Sequence, residues 1–303
     1  MVSAEVIEAV RRRLGPVGVW LASLRPEPAS AEREAARRVE SLGYGSLWAG
    51  EVIGGKEAFA HQAVLLSATE RIVTGTGIAN VWARHPATME AGAATLGDAY
   101  PGRFVLGLGV SHAPIVERSG QVYSKPLTKM RQYLDGMDAA RQSVPAAEIP
   151  VPRVLAALRP NMLGLARDRA DGAHPYFVPP SHTPAAREVL GPGKLLVPEQ
   201  AVVVASDAGE ARRRAREHME GYLRLPNYVN NLKHLGYDDD LAGGGSNRLV
   251  DAIVAWGSPE DIARRVHEHL DGGADHVLLQ PLGNLGEALR QLEELAPAVL
   301  SRP

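Results

Sequence analysis

Apolar runs alternate with amphipathic stretches along most of the chain. Pro16–Ala22 is the first run. Ala29–Leu42 follows with Ala31, Ala35, Val39 and Leu42 on one helical face, and Gly43 as a stop. The unit repeats as strand Gly45–Ala49 with helix Ala58–Thr69, strand Ile72–Ala79 with helix Ala87–Tyr100, and strand Arg103–Gly109 with helix Pro126–Gln142. It continues as Arg153–Ala157 with Asn161–Ala170, and Gly172–Val178 with Thr183–Leu190, where Thr183 is the expected N-cap, Pro184 the first helical residue and Gly191 the stop. Glu199–Ala205 leads into the mixed-charge helix Asp207–Arg224, read as a solvated face. Asp275–Gln280 and Leu285–Leu300 close the series.

Eight strands, each followed by helix, predict an α/β fold of the (β/α)8 barrel type, a single domain over residues 1–303. An open doubly wound sheet would need a GxGxxG turn after its first strand. The first strand here runs into SLRPEPAS, and Gly107-x-Gly109-x-x-His112 lacks the third glycine. Two segments fall outside the repeat. Ser143–Pro150 reads as a Pro/Ala-rich surface connector. Residues around 225–257 read as an extension: a helix Leu225–Leu235, an Asp- and Gly-rich loop Tyr237–Asn247 that is either mobile or a lid, and a helix Arg248–Trp256. The helix Ser258–Asp271 then opens on the capping box Ser258–Asp261 and stops at Gly272–Gly273.

Composition narrows the class. The net charge of −2 gives no nucleic-acid footprint, and the absence of cysteine excludes disulfides and thiolate metal sites. No apolar run approaches the ~20 residues that span a bilayer. The start, MVSAEVIEAVRRRLG, reads as a short helix rather than a signal peptide, which leaves the cytoplasm as the expected compartment. No HExxH or GxSxG is present, and His267 and His269 do not share a helix face, so no metal site or serine hydrolase is expected.

The chemistry concentrates between Ile72 and His112, at the C-terminal ends of the third and fourth strands, where ligands sit in such folds. Gly75, Gly77, Gly107 and Gly109 interrupt strands rich in Val, Ile, Leu and Thr. They admit either a flat ligand ring or large side chains inside the barrel.

Four blocks carry a resemblance: ARRVESLGYGSLWAGE, RIVTGTGIANVWARHPATMEAGAATLGDAYPGRFVLGLGVSH, RVLAALRPNMLGLARDRADGAHPY and WGSPEDIARRVHEHLDGGADHVLLQ. Together they resemble the luciferase-like monooxygenase superfamily, and within it the branch that uses the deazaflavin coenzyme F420. The resemblance implies a ring bound at the barrel mouth, behind which a non-proline cis peptide at Gly77–Ile78 bulges. The matching ring and linker positions are Thr76, Gly77, Ile78, Ala79, Asn80, Gly109, Val110, Ser111, Ala157, Leu158, Arg159 and His174. A helix opening at Pro160–Asn161 suits a phosphodiester. The Asp-His pair of many deazaflavin relatives is replaced by Ala49-Gly50-Glu51, and His112 stands about where sugar-phosphate dehydrogenase relatives carry a glutamate.

By residue type His112 is the candidate general acid/base, and Glu51 a second proton carrier or an anchor for the ring's polar edge. Trp48, Trp82 and Tyr176 are candidate walls of the substrate pocket. The expected activity is hydride transfer between F420 and a small or medium organic substrate. An FMN-dependent monooxygenase using reduced flavin and oxygen is the alternative, and a flavin- or deazaflavin-binding protein without turnover a third reading. The resemblance also implies a homodimer.

Overall fold

The structure is a computed structural model and describes residues 1–144 and 146–301; Pro145, within the expected connector, lies outside the described residues. The strands are β1 (Val17–Trp20), β2 (Ser46–Ala49), β3 (Val73–Thr76), β4 (Ala79–Asn80), β5 (Phe104–Gly109), β6 (Arg153–Leu155), β7 (Gly172–Ala173), β8 (Leu195–Leu196), β9 (Glu199–Val204), β10 (Val254–Gly257) and β11 (Val277–Pro281). The helices are α1 (Ala4–Leu14), α2 (Ala29–Ser41), α3 (Ala58–Leu66), α4 (Pro86–Ala99), α5 (Ala113–Glu117), α6 (Pro126–Ala140), α7 (Pro160–Arg169), α8 (His182–Leu190), α9 (Ala208–Tyr222), α10 (Pro226–His234), α11 (Asn247–Ile253), α12 (Pro259–Asp271) and α13 (Leu285–Leu300).

All strand pairings are parallel, and the sheet path runs β10-β9-β11-β1-β2-β3-β5-β6-β7-β8. Strand β8 at one end of that path and β9, next to β10 at the other, are one piece of chain, because only Val197 and Pro198 separate them. Val197 N–H donates to Ala173 and Glu199 N–H to Pro175, so the ring closes as a (β/α)8 barrel.

Three differences from the sequence reading have local causes. The sixth strand shrinks to Gly172–Ala173, because Pro175 cannot donate to a ladder and Phe177 turns to φ 60°. The expected helix Arg248–Trp256 ends at Ile253, and Val254–Gly257 instead pairs with β9, Val254 opposite Ala201. Thr183 does not cap α8, whose cap position is Ser181; the Thr183 hydroxyl is buried against His269 Nδ1 at 2.7 Å. The loop after α10 is tied down: Arg216 donates to Gly245 O and Asn247 Oδ1, and Arg248 pairs with Asp240. Among the described residues no helix is long and apolar enough to cross a membrane.

Helix α1 covers the N-terminal end of the barrel. Ile7, Val10 and Leu14 pack onto the interior layer of Trp48, Val73, Val105, Val154, Val197 and Leu278. The strand glycines make that layer possible. A Cβ on Gly75 would lie 2.4 Å from the Trp48 ring, one on Gly77 2.2 Å from Trp20 Nε1, and one on Gly109 2.5 Å from Ile78. A Cβ on Gly107 would meet Thr76 O at 1.9 Å. The space at all four positions is therefore filled by the protein itself, and packing, not ring approach, explains them. Gly75→Ala is expected to destabilise the protein by ~1–3 kcal/mol through overpacking against Trp48. An unchanged urea midpoint would show that the indole can yield.

Candidate active site

The C-terminal rim is built from the ends of β2, β4, β5, β6 and β7. The Gly77–Ile78 peptide between β3 and β4 is cis, as the resemblance implied. Gly77 O accepts from Trp20 Nε1 at 3.0 Å, and Ile78 O accepts from Glu51 N–H at 3.0 Å. Both residues are partly exposed at the mouth. The neighbouring positions are not. Thr76 Oγ1 donates to Gly107 O and accepts from Gly107 N–H, each at 2.8 Å, which occupies the hydroxyl in the β3–β5 seam. Ala79 and Asn80 are buried, and Asn80 Oδ1 accepts from Trp82 N–H. Thr76, Ala79 and Asn80 thus shape the bulge from beneath and present no side chain to a ligand.

Glu51 also changes role. Its side chain is only 4 % exposed. Oε1 accepts from Ala58 N–H at 3.1 Å, Oε2 from Asn80 N–H at 2.8 Å, and both oxygens meet the Arg84 guanidinium. Arg84 reaches on to Glu57 at 2.7 Å. A carboxylate with both oxygens engaged in this way is a brace between β2, β4 and α3, not a free proton carrier.

Two more expected residues lie inside the barrel. Trp48 is fully buried, its ring 5.3 Å from that of His174, so it is core and not a pocket wall. His174 is buried with it, Nδ1–H donating to Val197 O at 2.7 Å, and burial pushes its pKa down to about 4. It stays a neutral spacer beneath the bulge. Trp82 sits at the rim, its Nε1–H bonded to Val110 O at 2.8 Å and Lys129 Nζ 4.3 Å from its ring. Tyr176 lies between Trp20 and Tyr222, donates to Gln280 Oε1 and shares a 2.7 Å bond with Tyr222 Oη. Burial holds its phenol in the neutral form.

A cavity of about 440 Å³ opens over the ends of β5 and β6. Val110, Ser111, Leu158 and Arg159 line it, facing Tyr123 and Asn227. Gly109 and Ala157 are buried beneath this lining. Ser111 stands at φ 56°, which turns the chain from strand to rim. Helix α7 begins here. No side chain caps it, and Pro160 occupies its first turn, so the Asn161 N–H faces outward with the positive end of the helix dipole. Arg159, exposed beside it, has no ion-pair partner among the described residues. An anionic linker fits this donor set.

His112 lies next to Ser111. Its Nδ1 is 2.9 Å from Asn227 Oδ1, and its ring is 5.2 Å from Tyr228. Burial lowers its pKa from 6.5, and the Asn227 bond opposes that shift. Asn227 and Tyr228 carry no signal in the sequence, because helix α10 reaches His112 from more than a hundred residues away, and neither does Tyr222 at the end of α9. Trp20 was legible only as an aromatic near the end of an apolar run.

Residues 14–276 match the model of the luciferase-like monooxygenase family, and the chain belongs to that family. It is 25 % identical over 295 residues to a 5,10-methylenetetrahydromethanopterin reductase of Methanolobus tindarius, covering 82 % of this chain and 89 % of the relative. An F420-dependent secondary alcohol dehydrogenase solved with an F420–acetone adduct superposes with a TM-score of 0.75 at 18 % identity, covering 94 % of this chain and 99 % of that one. The oxygenating constituent of the 3,6-diketocamphane monooxygenase from a Pseudomonas putida plasmid, solved with FMN, superposes with a TM-score of 0.67 at 16 % identity, over 94 % and 98 %.

The brace reading of Glu51 is open to a direct check. Glu51→Ala leaves two backbone N–H groups without their acceptor and Arg84 with Glu57 alone, and is expected to destabilise the fold by ~2–3 kcal/mol. Wild-type thermal unfolding of this variant would remove that role.

Proposed function

We propose that this family member is an F420-dependent oxidoreductase that moves a hydride between the deazaflavin and a small or medium organic substrate. The observation that carries the reading is the β5–β6 cavity. Val110 and Ser111 line it beside the uncapped start of α7 and the unpaired Arg159, and the partly exposed Ile78 lies against neighbouring Gly109. A ring with an anionic linker matches that order of surfaces. The cofactor, when bound, supplies the carbon that gives or takes the hydride.

The protein's part is placement and proton handling. Ile78 and Val110 support the ring plane, and Arg159 with α7 holds the linker. Tyr123 and Leu127 close the apolar side of the cavity, and Trp82, packed on Tyr123 at 5.9 Å, stiffens that wall. His112 carries the proton. Burial keeps the imidazole neutral near pH 7, and no charged side chain contributes to its shift. A neutral imidazole takes a proton, so it serves the half-reaction in which a hydroxyl is lost as a carbonyl forms.

Parallel titration of the cofactor-free protein with F420 and FMN tests the reading, with ring fluorescence as the signal. Micromolar F420 binding with much weaker FMN binding is expected. Arg159→Ala should weaken F420 about tenfold or more at low salt, with the difference shrinking as salt rises. The reverse preference would favour the oxygen-dependent FMN reading instead.

A pH profile tests the base. The neutral form must be the active one, and burial lowers the folded pKa. Turnover should therefore hold through pH 7 and fall only as pH drops below the ordinary value of 6.5. Wild-type turnover by His112→Ala would rule it out as the proton carrier.

A further inference from the structure

We infer that Asn227 is a positioning residue that fixes the tautomer of His112 and so leaves Nε2 as its proton-accepting atom. The inference rests on the oxidoreductase reading above and deepens it. A side-chain carbonyl can only accept, so Asn227 Oδ1 at 2.9 Å requires the proton on Nδ1. Nε2 then carries the lone pair, and the only side-chain hydrogen bond of His112 among the described residues is the one at Nδ1.

The surroundings hold this arrangement. Tyr228, the next residue on α10, packs its ring 5.2 Å from His112 and is itself buried. Tyr228 in turn meets Phe177 at 5.3 Å and Tyr222 at 5.4 Å. Helix α10 is thus anchored by aromatic packing while Asn227, at its first turn, points its carbonyl at the imidazole. Asn227 also lines the β5–β6 cavity. One side chain therefore touches both His112 and the cavity, which couples the pose of the imidazole to the presence of α10.

The chemistry balances for an alcohol. For such a substrate a bound deazaflavin would accept the C–H electron pair as hydride. The O–H bond breaks with its proton going to His112 Nε2, and a carbonyl remains. The imidazolium so formed keeps its Nδ1–H on Asn227, which stabilises it without a second charge. In the reverse direction the same Nε2–H returns the proton to the carbonyl oxygen.

Nitrogen-15 NMR of the intact, histidine-labelled protein tests this without any substrate. His112→Gln identifies the signal. The wild-type ring is expected to be protonated on Nδ1. Asn227→Leu should give a mixture of tautomers, and Asn227→Asp should raise the titration midpoint by about one pH unit or more, because a carboxylate favours the imidazolium. An Nε2-protonated ring in the wild type, or a spectrum unchanged by Asn227→Leu, would overturn the assignment. Addition of F420 is expected to shift the Nε2 signal and leave Nδ1–H in place. If F420 binds and Nε2 does not respond, His112 is not the base. If F420 does not bind, the cofactor reading falls, and the tautomer of the cofactor-free protein still decides the Asn227 pairing.

Discussion

The mouth of this barrel depends on one buried carboxylate. Glu51 lies two residues past β2, yet it holds the backbone of β4 through Asn80, the start of α3 through Ala58, and the approach to α4 through Arg84. Such a pair contributes little net stability, since desolvation offsets most of the attraction. Its value is geometric. Three separate pieces of chain must be in place before both charges are satisfied, so the position of the Gly77–Ile78 bulge is fixed against the rim. Arg84 O also accepts from Tyr133 Oη at 2.8 Å, which ties α6 to the same brace.

Beneath the brace, space inside the barrel is allotted by exchanging small residues for large ones. Trp48 lies under Gly75, Trp20 under Gly77 and Ile78 over Gly109. Close packing of this kind leaves little freedom for the residues that form it. It explains why polar groups just below the rim, such as the Thr76 hydroxyl and His174 Nδ1, are spent on backbone partners. Glu199 belongs to the same layer: burial raises its pKa to about 8, and one oxygen accepts from Phe177 N–H. The residues one step further out, Val110, Ser111, Leu158 and Arg159, line the cavity.

Around this frame the helical segment after β9 reaches the rim from a distance. Glu51, just past β2, is held by Arg84 and two backbone N–H groups, and His112, just past β5, is met by Asn227 and Tyr228 on α10. The loop of residues 237–247 is tied to α9 by Arg216 and to α11 by the Asp240–Arg248 pair.

The sequence by itself determined the barrel, because strand–helix periodicity, helix stops and capping residues are local signals. Asn284 and Glu287 box the start of α13 as Ser258 and Asp261 box α12, within three residues of each other. The occupant of each glycine, the fate of Glu51 and the partner of His112 were decided only by the tertiary structure. Each depends on contacts between residues that are distant in the chain: Trp20 with Gly77, Glu51 with Asn80 and Arg84, His112 with Asn227. Residue type states what such a side chain can do, but burial and partners choose among those abilities, and both are properties of the packed molecule.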